Sequence, residues 1–129
     1  PPGFLQENIS GVQFLGEVPN AADFVAAHPI SLAPLRSGSG LKVKVLEAMA
    51  LGRVVLGTSI ALEGIPAQDG RQVLLADTPE DFVRQVSFLL EKPELAAQLG
   101  AAARDLVQSA FDYRDVARKM IASIARIGA

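Results

Sequence analysis

In the stretch Pro34-Leu35-Arg36-Ser37-Gly38-Ser39-Gly40-Leu41-Lys42-Val43-Lys44, residue types gather into something that could do chemistry. Gly38 and Gly40 free the backbone to turn successive N–H groups into one concavity. A helix opening directly behind the bend adds the positive end of its dipole. Arg36 and Lys42 flank it with cationic heads, and the whole would cradle an anion. From Phe24 to Leu46 there is no Asp or Glu, although Arg36, Lys42 and Lys44 fall inside that span, so the local charge is positive on a chain of net charge −2. The bland alternative is a glycine-serine turn that merely reverses the chain before a helix. Gly38-Ser39-Gly40 is not a Walker loop, since no Gly-Lys-Ser/Thr closes it, nor a full G-x-G-x-x-G, because Val43 stands where the third glycine would be. Glu47, seven residues after Gly40, is flanked by Leu46, Ala48 and Met49. It either caps a surface turn or reaches back toward the bend, and a buried carboxylate would need partners there. Lys44, two positions along the helix from Lys42, points elsewhere and reads as a solvated charge.

Positioning these residues requires a scaffold, and the chain alternates short apolar runs with helical patterns. The runs Val12–Leu15, Ile30–Ala33, Val54–Gly57 and Val73–Leu75 predict strands. Helices are predicted over Ala21–Ala27, Val43–Leu51 and Pro79–Leu90, the last with Thr78 as N-cap, Pro79 at its first position and Glu80 and Asp81 at its positive end. After Leu90 the pattern is wholly helical, over Pro93–Ser109 and from Tyr113 to Ile127. This alternation predicts an α/β fold, a Rossmann-like parallel sheet with flanking helices that ends in two helices. In such sheets ligands sit beyond the carboxyl ends of the strands, where the glycine bend falls. Phe82, Phe88, Leu89 and Leu90 follow helical spacing and read as core. His28, before Pro29, reads as structural or solvent-facing. Arg104, Arg114, Arg118, Lys119 and Arg126, interspersed with Asp105, Asp112 and Asp115, read as a solvated face.

Composition narrows the function classes. With 129 residues, half of them hydrophobic, the chain can bury one core. Twelve basic against fourteen acidic residues exclude a globally basic nucleic-acid or membrane-surface binder. The absence of cysteine excludes disulfides, thiolate metal sites and cysteine nucleophiles, and the single histidine excludes a histidine-rich metal site. No apolar stretch approaches membrane-span length, and the chain reads as soluble and intracellular. It opens on Pro1-Pro2-Gly3 and runs almost at once into an apolar segment, which reads as a piece of a longer protein.

The ordered run from Pro34 to Val55, continuing to Thr58 and Glu63-Gly64-Ile65, with Val12-Gln13-Phe14-Leu15-Gly16-Glu17-Val18 upstream, resembles the C-terminal half of group 1 (family 4) glycosyltransferases. The resemblance covers roughly residues 3 to 110. It implies the GT-B architecture of two Rossmann-like domains, in which retaining, metal-independent enzymes hold a nucleotide sugar mainly on the second domain. Residues 1–129 would then be that donor-binding domain, without the acceptor domain and the first strands of its own sheet, and inactive in isolation. The resemblance implies that Gly38-Ser39-Gly40 meets the donor diphosphate through backbone N–H groups, with Arg36 and Lys42 as charged partners that also act in catalysis. Glu47 would accept hydrogen bonds from the ribose hydroxyls, and Gly16, Glu17 and Val18 would line the base. Two departures stand out. Ser37 occupies the place of the family's first glutamate, and the loop from there to Glu47 is two residues longer than in the common form. They leave the sugar contacts open. Glu63-Gly64 recurs in part of the family, with a structural role as good a reading as a functional one.

The implied partners are a nucleoside-diphosphate sugar and, through the missing domain, an acceptor sugar or lipid-linked glycan. No cofactor, metal or nucleic acid is expected. The family suggests bacterial cell-surface polysaccharide assembly in the cytoplasm, with the full-length protein at the inner face of the membrane. Val116, Met120, Ile121 and Ile124, deprived of that domain, would favour homodimer contacts. Two other readings stay open: a non-catalytic nucleotide-sugar or phosphate-binding module, and a flavodoxin-like interaction domain whose glycine bend merely turns.

Overall fold

A computed structural model describes residue 10, residues 12–13, residues 19–111, and residues 118 and 121. The described elements are α1 (Ala21–Ala26), β1 (Ile30–Ala33), α2 (Val43–Ala50), β2 (Val54–Gly57), β3 (Leu74–Leu75), α3 (Pro79–Glu91) and α4 (Pro93–Ala110). The strands form a parallel sheet in the order β1-β2-β3, with Ile30 opposite Val54, Ala33 opposite Gly57, and Gly57 opposite Leu75. No described helix is long and apolar enough to cross a membrane.

All four residues of β2 are buried, as expected of a strand covered on both faces. Successive side chains of a strand point to opposite faces, and the core divides accordingly. Val55 packs with Val45, Leu46, Ala48 and Met49 of α2 and with Ala103 and Val107 of α4. Val54 and Leu56 pack on the other side with Leu74 of β3, Leu89 of α3 and Leu99 of α4. Burying side chains of this size contributes roughly 1.5–3 kcal/mol each, so β2 is the element that both halves of the core share.

The helices begin and end where their sequences dictate. Asn20 caps α1 by accepting from the Asp23 N–H, and Thr78 caps α3 by accepting from the Asp81 N–H, both at 3.1 Å. Past the end of α2, Gly52 adopts a φ of 75°, its N–H donates to Met49 O, and the Arg53 N–H donates to Ala48 O. This is a Schellman closure, which puts the chain straight into β2. The turn also brings two backbones together. A Cβ added at Gly100, mid-way along α4, would lie 2.1 Å from the Gly52 carbonyl oxygen. Glycine therefore persists in a helix interior, where it costs about 0.5–1 kcal/mol relative to alanine.

Several expectations are corrected. Of the strand expected over Val12–Leu15, Val12 and Gln13 are exposed and belong to no strand, because an apolar alternation gains nothing until a neighbour covers it; the rest of that run lies outside the described residues. The strand expected over Val73–Leu75 keeps only Leu74 and Leu75 in the ladder, with Val73 in an isolated bridge to Asp69. The Asp69 carboxylate accepts from the Leu75 N–H at 2.9 Å and so occupies a donor on that strand. Phe88 and Leu90 are not core: they are 38% and 70% exposed on the outer side of α3, whereas Leu89 is buried and Phe82 packs partly against the core. Of the last helix expected, residues 118 and 121 are helical, with Ile121 exposed, and its other residues lie outside the described set.

Substituting Gly100→Ala should destabilise the chain by about 1–3 kcal/mol or more, the scale of overpacking against an immovable backbone. A urea unfolding midpoint equal to that of the unsubstituted chain would show that the two backbones do not meet.

Candidate functional site

Beyond the carboxyl end of β1 the chain runs through Pro34, Leu35, Arg36 and Ser37 into the glycine bend. Gly38 and Gly40 have φ values of 110° and 81°, in the left-handed region where a Cβ is disfavoured. Lys42 follows as the N-cap of α2, and its side chain folds back over the bend. Its Nζ donates to the Gly40 carbonyl at 2.6 Å, and its Cε lies 3.7 Å from where a Cβ of Gly38 would be. The ammonium is thereby fixed over the bend.

The start of α2 carries no side-chain cap and no acidic residue in its first turn. The other described helices each have an acid there: Asp23 in α1, Glu80 and Asp81 in α3, Glu94 in α4. The first intrahelical bond of α2 runs from the Leu46 N–H to Lys42 O. The N–H groups of Val43, Lys44 and Val45 thus lack an acceptor within the helix, and the positive end of the dipole is uncompensated by its own sequence. Glu47 is half-buried one turn further on, away from the buried stripe Val45, Leu46, Ala48 and Met49. Helical side chains lean toward the N-terminus, so Glu47 is set over the turn that follows the glycine bend. Lys44 is exposed, as expected of a solvated charge.

Arg36 lines a different feature from the bend that Lys42 covers. It lines a crevice of about 300 Å³ beyond the carboxyl ends of all three strands, with Leu32, Pro34, Thr58, Asp77, Thr78 and Phe82. Neither Lys42 nor the glycines of the bend belong to that lining. Arg36 thus shares its crevice with the carboxylate of Asp77. Ser37 and Ser39, between the two cations in sequence, are exposed. Gly16, Glu17 and Val18, expected to line a base, lie outside the described residues.

Asp77 is the member that sequence reasoning missed. It follows β3, and its carboxylate accepts from the Ser59 N–H at 2.9 Å and the Ser59 hydroxyl at 2.7 Å, joining the exit of β2 to the start of α3. These bonds, the backbone one foremost, hold its carboxyl below the ordinary carboxylate range. The signal was its place at a strand's carboxyl end, just ahead of the Thr78-Pro79 helix start. His28 bears out its structural reading, with Nδ1–H donating to the Phe24 carbonyl at 2.7 Å and its ring 4.4 Å from that of Phe24. Glu63 and Gly64 form an exposed turn, where a Cβ on Gly64 would lie 3.6 Å from Leu41.

A parallel α/β sheet whose polar loops leave the carboxyl ends of its strands defines a Rossmann-like domain. The chain belongs to the glycosyl transferase-like family, whose model matches residues 4–122. It is 32% identical over 77 residues to trehalose synthase from Pyrococcus horikoshii, a match covering 60% of this chain and 18% of that protein. Among solved structures it resembles sucrose-phosphate synthase from Thermosynechococcus elongatus, with a TM-score of 0.65 and 20% identity over 81% of this chain and 26% of that one. It also resembles the C-terminal domain of a glycosyl transferase group 1 family protein from Francisella tularensis, with a TM-score of 0.69 and 16% identity over 77% of this chain and 53% of that one. The fold is that of the GT-B C-terminal domain, and the chain spans about a fifth of the curated relative's length.

The depressed carboxyl of Asp77 gives a pH test. Its contribution to stability is complete above the ordinary carboxylate range and is lost as the pH falls through the lower folded-state value. The gap in thermal midpoint between the unsubstituted chain and Asp77→Asn should accordingly be widest near neutrality and close in acid. A gap independent of pH would mean that the Ser59 clamp does not depend on the charge.

Proposed function

We propose that this chain is the donor-binding part of a longer, retaining glycosyltransferase of hexosyl type, with Lys42, Arg36 and the glycine bend receiving the diphosphate of a nucleoside-diphosphate sugar. The observation that carries this reading is the Lys42 ammonium fixed over Gly38–Gly40 at the uncapped start of α2. An ammonium has three donors. One held by the Gly40 carbonyl leaves two for phosphate oxygens, and the free N–H groups of α2 add more. Glu47, half-buried over the same turn, has two acceptor oxygens suited to the vicinal hydroxyls of ribose. The names of two relatives, trehalose synthase and sucrose-phosphate synthase, are in keeping with a sugar as the transferred group.

In the proposed reaction the bond from the anomeric carbon to the diphosphate oxygen breaks, a bond to the acceptor oxygen forms on the same face, and the acceptor hydroxyl gives its proton to the departing diphosphate oxygen. Negative charge grows on the departing diphosphate. Cations and dipoles already aimed at that position stabilise the transition state more than the ground state. Arg36 would meet the diphosphate or sugar from the crevice that it lines. The acceptor, a sugar or lipid-linked glycan, would be supplied by a domain outside this chain. A second reading, a module that binds nucleotide sugars without transferring them, is favoured by one observation: Ser37 stands where the family's first glutamate would contact the sugar. A transfer assay on the full-length parent protein separates the two.

Lys42→Ala should weaken binding of UDP or GDP by about 1.5–3 kcal/mol, the range for a lost hydrogen bond to a charged group. Calorimetric titration giving an unchanged affinity would reject the assignment.

A further inference from the structure

Thr58 is the only polar residue among the buried ones described, and its hydroxyl bonds to the loop that leads to the glycine bend. β2 leaves the sheet at Gly57. One step on, the Thr58 N–H donates to the Ala33 carbonyl at 3.3 Å, extending the ladder by one rung. In a parallel pair the next rung would come from the backbone two residues later, at Ile60, reaching the carbonyl of Leu35. The chain has already turned away there, with the Leu62 N–H donating to Thr58 O and the Ile65 N–H to Leu62 O. The Thr58 hydroxyl supplies the missing donor, reaching Leu35 O at 2.5 Å while accepting from the Ala61 N–H at 3.2 Å. One hydroxyl thus uses its single donor on the β1 exit and an acceptor on the turn after β2. The next residue, Ser59, is clamped by Asp77 from beyond β3.

We infer that Thr58 is the positioning residue of the glycine bend, its hydroxyl acting as a surrogate ladder rung that carries β1 out to Leu35 and sets the path of Arg36 and Gly38. The inference rests on the reading of that bend as the diphosphate cradle. Pro34 has no N–H and Leu35 is the last residue before the cations, so a hydrogen bond at the Leu35 carbonyl lies next to the residue whose aim matters. The role needs a hydroxyl at this place, not merely a side chain of this shape. Valine would fill the space and leave both the Leu35 carbonyl and the Ala61 N–H without that partner. Serine would keep both bonds.

The test uses the whole chain, labelled with ¹⁵N, and compares Thr58→Val, Thr58→Ser and the exposed, distant pair Ala97→Gly/Ala101→Gly, which lowers stability through helix propensity alone. The amide signals of Gly38 and Gly40 should move in Thr58→Val and stay in place in the other two. Affinity for UDP or GDP, measured well below every melting point, should fall roughly tenfold in Thr58→Val, return to within about twofold in Thr58→Ser, and be unchanged in the double glycine variant. Glycine signals in Thr58→Val that coincide with those of the unsubstituted chain overturn the inference, as does a Thr58→Ser that behaves like Thr58→Val. If the unsubstituted chain binds neither nucleotide, the cradle reading fails, and the glycine signals still decide whether Thr58 sets the bend.

Discussion

The burial of β2 on both faces is the constraint from which the rest of the domain follows. Val55 on one side and Val54 and Leu56 on the other leave no face of that strand to water. Helices must therefore cover both sides, and α4 contributes to each by placing Ala103 and Val107 against one half of the core and Leu99 against the other. The price of such close layering is visible at one point, where Gly52 and Gly100 bring two backbones into contact that a single methyl group would prevent.

With β2 fixed, the carboxyl ends of all three strands converge, and the residues that can act on a ligand are the ones just past those ends. The glycine bend and Lys42 follow β1, Thr58 and Ser59 follow β2, and Asp77 follows β3. Lys42 braces its own loop through Gly40, and side chains tie adjacent loops together, Thr58 to Leu35 and Ser59 to Asp77. The loops are ordered by polar bonds where the ladder gives out. That suits a site for a charged ligand, since donors already held in place need little reorganisation when it arrives.

The element pattern was legible because it is local. Val43–Leu51 shows helical spacing and ends in a glycine, Thr78-Pro79-Glu80-Asp81 announces a helix start, and Ile30–Ala33 and Val54–Gly57 are short apolar runs between turns; the structure places elements within a residue of each. The glycine bend and Lys42 were legible for the same reason, since they lie within five residues of one another. Leu90 was misread because periodicity reports a helical face without reporting whether another element reaches it. Asp77 was missed because its partner, Ser59, is eighteen residues away, and only the adjacency of β2 and β3 makes them neighbours.

By itself the sequence determined the α/β alternation, the two glycines that can take positive φ, the cations beside them and the family resemblance, all of which are properties of residues close along the chain. Only the tertiary structure decided that Lys42 folds back over the bend, that a carboxylate shares the crevice with Arg36, and that the Thr58 hydroxyl completes the end of β1. Hydrogen bonds and charge pairing act over a few ångströms, and which distant residues come within that range is set by how β1, β2 and β3 align, not by their order in the chain.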